Sequence, residues 1–136
     1  MVNSIYMMPR LDNVISEAKA RNLSPLTLAF VGDALHSLYV KTALALSHDF
    51  KAGALHAYTS REINANAQAS RAESIVKILN GDELAIYKRA RNVSPRNVPK
   101  NADIAAYSKA TAFEAVLGYL YLTGQTQRLE ELLNVN

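Results

Sequence analysis

Two acidic side chains stand where the surrounding residues offer them no polar company. Asp33 sits in the run LAFVGDALHSLYV (28–40), and Glu114 in TAFEAVLGYLYL (111–122). Plotted at about 100° per residue, the segment from Leu26 to Leu46 has no polar stripe. Asp33 falls between Leu26 and Leu44 on one side and Ala29 and Val40 on the other, with Ser37 as its polar neighbour and His36 one turn on. Around Glu114, Ala110 and Thr111 occupy the preceding turn and Leu117 and Gly118 the next, so no base at helical spacing can pair with it. Both acids therefore read as held inside the protein. A buried ionised carboxylate is costly unless it finds a cation, takes a raised pKa, or faces a cleft. If the two helices pack side by side the acids can meet, and converging carboxylates with no fixed base are the oxygen donors that Mg²⁺ or Mn²⁺ takes. An arginine or backbone amide from elsewhere in the fold is the structural alternative, and spacing leaves both open.

The elements that must position these acids read as helices with short breaks. Apolar spacing predicts a helix near 10–21, and Ser24-Pro25 marks the start of a long one reaching about Ser47. The stretch 53–79, rich in Ala, Gln, Arg and Glu, reads as one long or two short helices stopped by Asn80-Gly81. A short helix, about 82–90, leads into RNVSPRNVPKNAD (91–103), whose two prolines and lack of periodicity describe a loop. The apolar helix of Glu114 ends near Thr123-Gly124, and a last amphipathic helix is capped by Thr126. No alternating strand pattern or repeat interrupts this, so the fold class is all-α. Glycine inside a helix costs roughly 1 kcal/mol against alanine, so Gly32 and Gly118 mark close approach of backbones. His36 reads as a hydrogen-bonded core histidine, His48 and His56 as structural or exposed. Tyr107, Tyr119 and Tyr121 fit packing better than base stacking.

The chain of 136 residues fits one domain, 1–136, able to bury a core unaided. It has no cysteine, which excludes disulfides, thiolate metal sites and cysteine nucleophiles and suits a reducing cytoplasm. No apolar run approaches the roughly 18 residues of a membrane span, and MVNSIYMMPR is no export signal, so a cytoplasmic protein without membrane attachment is expected. Formal net charge is +3, yet six bases (Lys88, Arg89, Arg91, Arg96, Lys100, Lys109) face one acid, Asp103, between 88 and 109. That cluster suits a polyanion such as nucleic acid, or equally a solvated loop.

With both acids located, a resemblance emerges. VGDALHSLYV resembles the signature helix of ribonuclease III catalytic domains, and TAFEAVLGYLYL their second acid-bearing helix. YKRARNVSPRNVPKNADIAAYSKATAFEAVLGYLYL, with LHAYTSREINANAQA upstream, is similar to the Mini-III ribonucleases, compact members without a double-stranded-RNA-binding domain. The likeness spans roughly Leu23 to Thr123. It implies a homodimeric, all-helical ribonuclease III-like catalytic fold. The implied activity is Mg²⁺-dependent hydrolysis of double-stranded RNA to 5′-phosphate and 3′-hydroxyl ends, with Mn²⁺ as a possible substitute. The implied substrate is precursor of large-subunit ribosomal RNA, trimmed at its paired termini.

By the same likeness, Asp33 and Glu114 are the catalytic and metal-binding residues. Larger members carry a glutamate four residues before the first acid and an aspartate three before the second; here those positions are Ala29 and Thr111. Where the family pattern YRxAT has arginine, this chain has Ser108, followed by Lys109. Two carboxylates leave most of the coordination sphere to water and RNA oxygens, so metal binding without substrate should be weak. The basic stretch would grip phosphates through Lys88, Arg89, Arg91, Arg96 and Lys100, with Asn92 and Asn97 reaching 2′-hydroxyls or base edges. Ala29 and Thr111 leave one alternative, a catalytically silent relative that binds RNA or serves in assembly. Such a relative has no reason to keep both acids.

Overall fold

The computed structural model describes residues 13–47, 65–93 and 103–135, and among these every regular element is a helix. The elements are α1 (Glu17–Arg21), α2 (Pro25–Ser47), α3 (Ala65–Ile75) continued by a 3₁₀ turn (Val76–Ile78), α4 (Gly81–Arg91), α5 (Ile104–Leu122) and α6 (Thr126–Leu133). Helix α5 is the centre. Its apolar residues run all the way round, as a helix enclosed on every side requires. Ala112, Phe113, Ala115, Val116, Leu117 and Leu120 are completely buried. Helices α2, α3 and α4 surround it, and α2 lies along it most extensively.

Local signals explain most of the ends. Ser16 accepts from Lys19 N at 3.1 Å to start α1, and Ser24 Oγ accepts from Leu26 N at 3.2 Å beside Pro25. The first helix is shorter than the expected 10–21, because residues 13–15 precede the Ser16 cap and are not helical. Asp103 caps α5 by accepting from Ala105 N and Ala106 N, and Gly124 at φ 74° turns the chain out of it. The helical stretch stops at Ile78, just before Asn80-Gly81 as expected, and Asn80 also starts the next helix. Asn80 accepts from Glu83 N at 2.9 Å while Glu83 accepts from Asn80 N at 3.0 Å, a capping box that opens α4. Thr126 is the first residue of α6 and not its cap; Gln125 holds that place, without a side-chain bond.

An ion pair ties α4 to α6. Glu83, 1 % exposed, receives two bonds from the Arg128 guanidinium, both 2.9 Å, and the same guanidinium donates to Ile78 O at 2.6 Å. Burial pushes the Glu83 carboxyl up, but the Arg128 bonds, the Asn80 N–H and the Arg128 charge outweigh it and leave it below the ordinary range.

Candidate active site

The contact that places the acids is between backbones. A Cβ added at Gly32 would lie 1.7 Å from the carbonyl oxygen of Glu114, and one at Gly118 would lie 2.0 Å from that of Leu28. Helices α2 and α5 therefore touch at the residue before Asp33 and at Glu114 itself, with a second touch one turn further along α5. No other residue type permits this approach. The two glycines found in the sequence mark it on both helices.

Beside that contact lies an open cleft of about 410 Å³, lined by Asp33, Glu114, Gln68, Tyr107, Leu26 and Phe30 together with Ala29, Ala110 and Thr111. The arrangement resolves the fate of each acid differently. Glu114 is half-buried, and burial first, then its bond with Asp33 and the Asp33 charge, push its carboxyl up to about 9, against a smaller downward pull from Gln68. Asp33, by contrast, is exposed at the cleft. The expectation that it is held inside is corrected here. Its helical wheel lacks a polar stripe because apolar side chains also face outward on α2: Phe30 is 80 % exposed and Leu26 42 %.

Ala29 and Thr111 line the same cleft, so the positions that hold two further acids in larger ribonucleases III converge here with Asp33 and Glu114. Among the described residues no group of three or more His, Asp or Glu side chains could hold a metal. The donor set is thus two carboxylates at an open cleft. It suits a hard divalent ion that keeps several waters, and the raised Glu114 carboxyl reflects its burial first and the neighbouring Asp33 second.

The ribonuclease III domain profile matches residues 26–125, the span that contains both glycines and both acids. The chain belongs to the ribonuclease III family. It is 39 % identical over 132 residues to the Mini-ribonuclease 3 of Thermoanaerobacter sp., covering 96 % of this chain and 93 % of the relative. It is also 40 % identical over 116 residues to that of Enterococcus faecalis, covering 84 % and 88 %. A crystallised protein from Fusobacterium nucleatum has the same fold, with a TM-score of 0.78 and 28 % identity over 88 % of this chain and 94 % of that one. As a Mini-III-type member of the ribonuclease III family, the chain is an endoribonuclease acting on double-stranded RNA, in a family that depends on divalent metal.

The remaining sequence expectations separate. His36 is 2 % exposed and bonded to Gln68, the core histidine expected. Lys88, Arg91 and Asn92 lie exposed at the end of α4. Arg89 is exposed too, but its guanidinium donates to Arg21 O at 2.5 Å and Leu23 O at 3.1 Å, holding α4 to the end of α1. Arg96, Asn97, Lys100, His48 and His56 lie outside the described residues. Lys109 pairs with Glu73 at 2.5 Å and is not among the residues lining the cleft. Glu73 also feels Arg91 and Lys77, which makes Lys77, Arg91 and Lys109 one basic surface around a single exposed acid. Sequence reasoning missed Gln68 at the cleft and the Glu83–Arg128 pair. The first is one polar residue in an Ala- and Asn-rich run; the second joins positions 45 residues apart, beyond any helical spacing.

Proposed function

We propose that Asp33 and Glu114 together bind Mg²⁺, with Mn²⁺ as substitute, and that this is the catalytic centre of the endoribonuclease. The observation that carries this reading is their convergence on one cleft with Ala29 and Thr111. When bound, the ion supplies charge stabilisation at the scissile phosphate and acidifies water, so no side-chain nucleophile is needed. The chain's own part is positional. Asp33 and Glu114 would hold the ion through their carboxylate oxygens, Glu114 in its deprotonated form, and the Gly32–Glu114 backbone contact fixes the separation of the two helices.

The substrate, in this reading, is the paired termini of large-subunit ribosomal RNA precursor, cut in the cytoplasm to 5′-phosphate and 3′-hydroxyl ends. The single catalytic domain, 1–136, holds the backbone through Lys88, Arg91 and Asn92, with Arg89 bracing α4; Arg96, Asn97 and Lys100, outside the described residues, are further contacts expected from the sequence alone. Lys77 and Lys109 add to the same charge. One acid pair cuts one strand, so duplex cleavage calls for a homodimer with two-fold symmetry. The exposed Phe30 and Leu26 beside the cleft, and Ile104 at 60 % exposure, support an apolar interface on this side.

The test is cleavage of a structured RNA duplex in Mg²⁺. Asp33→Asn and Glu114→Gln should fold, bind RNA and lose cleavage by orders of magnitude. Near-normal cleavage by either variant overturns the two-acid site.

A further inference from the structure

Gln68 is 3 % exposed and shares the cleft with Asp33 and Glu114. Behind it, its carboxamide nitrogen lies 3.1 Å from His36 Nδ1, and His36 Nε2 lies 3.5 Å from an Arg71 guanidinium nitrogen. The ring of His36 stands edge-on to Phe113, with centroids 5.3 Å apart at 87°. Three side chains thus run in line from α3, through α2, and back to α3 at the cleft.

The chemistry of the groups gives this line a direction. A guanidinium only donates, so its contact makes Nε2 of His36 the acceptor. The neutral ring must then carry its proton on Nδ1. Burial first, and the Arg71 charge second, hold the ring neutral, down to about 4, against the weaker opposite pull of Asp33. A carboxamide exchanges its nitrogen and oxygen by a half-turn of its last bond without changing shape. A proton on Nδ1 selects Oε1 as the atom facing the ring, which turns the Gln68 nitrogen toward the cleft. There the Glu114 carboxylate, which lines the same cleft, can accept from it.

We propose that Arg71, His36 and Gln68 form a one-way hydrogen-bond chain that aims the Gln68 amide N–H at Glu114, making Gln68 a positioning residue for that acid. The inference rests on the reading of Glu114 as part of the catalytic pair. Every donor then has an acceptor, whereas the opposite sense sets two donors, Arg71 and the Nε2 proton, against each other.

The deciding measurement is the tautomer of His36 in the full chain without metal, read from ¹⁵N shifts of the ring at neutral pH. The proposal requires the proton on Nδ1; a proton on Nε2 overturns it. The second arm is Gln68→Met, which keeps length and removes the donor. Its kcat on duplex RNA should fall by about tenfold or more with KM near that of the unaltered chain. Unchanged kcat in a folded Gln68→Met chain overturns the positioning role. Should that variant fail to fold, the tautomer of the unaltered chain decides alone. The outcomes also separate the two readings. Normal cleavage by Asp33→Asn together with an Nδ1 proton defeats the two-acid site and leaves the hydrogen-bond chain standing. An inactive Asp33→Asn together with an Nε2 proton does the reverse.

Discussion

Replacing Gly32 by alanine tests how the site is built more directly than removing an acid. The new Cβ would lie 1.7 Å from the Glu114 carbonyl oxygen, 2.6 Å from its carbon and 3.0 Å from its Cα. All three are backbone atoms of a buried helix, so no side chain can swing aside. Reaching an ordinary contact of about 3.5 Å demands that α2 and α5 separate by roughly 1.5 to 2 Å at the acids. Overpacking of this kind costs about 3 kcal/mol, the upper part of the usual range, because the obstacle is rigid. Catalysis should suffer more than folding, since a misplacement of about 1 Å can cost roughly 10²-fold in rate. Thermal melts and duplex cleavage at saturating Mg²⁺ measure the two separately. Gly81→Ala is the control: its Cβ meets nothing within 4 Å, and alanine inside a helix should leave stability equal or higher by up to about 1 kcal/mol. If Gly32→Ala melts and cleaves like the unaltered chain, the glycine contact does not set the site.

The remaining predictions concern charge and assembly. Because the folded Glu114 carboxyl lies at about 9, above its unfolded value of 4.5, the metal-free fold binds more protons than the unfolded chain and loses stability as pH rises between those values. Glu114→Gln should therefore melt above the unaltered chain in EDTA, by a margin that is nil below pH 4, grows to about pH 9, and shrinks when Mg²⁺ is added. A flat margin refutes the raised carboxyl. Arg128→Ala strands the 1 %-exposed Glu83 and should cost about 3 kcal/mol in denaturant unfolding; loss of less than a third of that would show the pair to be dispensable. Phe30→Glu puts a charge on the 80 %-exposed ring position and should shift the chain to monomer in sedimentation velocity at micromolar concentration, whereas an intact dimer would move the interface off this face of α2.

What could be read in advance follows from what is local. The cap at Ser24-Pro25, the glycine after α5 and the spacing around Glu114 are contained within a turn or two of chain, and the structure has them where the residues place them. The glycines at 32 and 118 were legible because glycine inside an apolar helix costs stability that only a close contact repays. Asp33 was misread for a physical reason. An apolar wheel shows that a face is removed from water by something, and on α2 part of that face, with Phe30, is not covered within one chain. Asn80-Gly81 marks the end of one helical stretch, as its sequence suggests, and through the Asn80 side chain also begins the next; Glu83, three residues on, is the signal for that second role. Gln68 could not be found, since its partners come from two other helices, α2 and α5, and share no spacing with it.

The raised carboxyl of Glu114 also shapes how a polyanion enters. At neutral pH the metal-free cleft carries one negative charge fewer than its two acids would suggest, because the proton on Glu114 remains until a cation displaces it. An RNA backbone approaching past Lys77, Arg91 and Lys109, as proposed above, would thus meet less repulsion at the mouth of the cleft than a fully ionised pair would give. On the proposed reading titration and docking would thereby be linked, the proton screening the floor of the cleft during approach and being released when the carboxylates bind a cation.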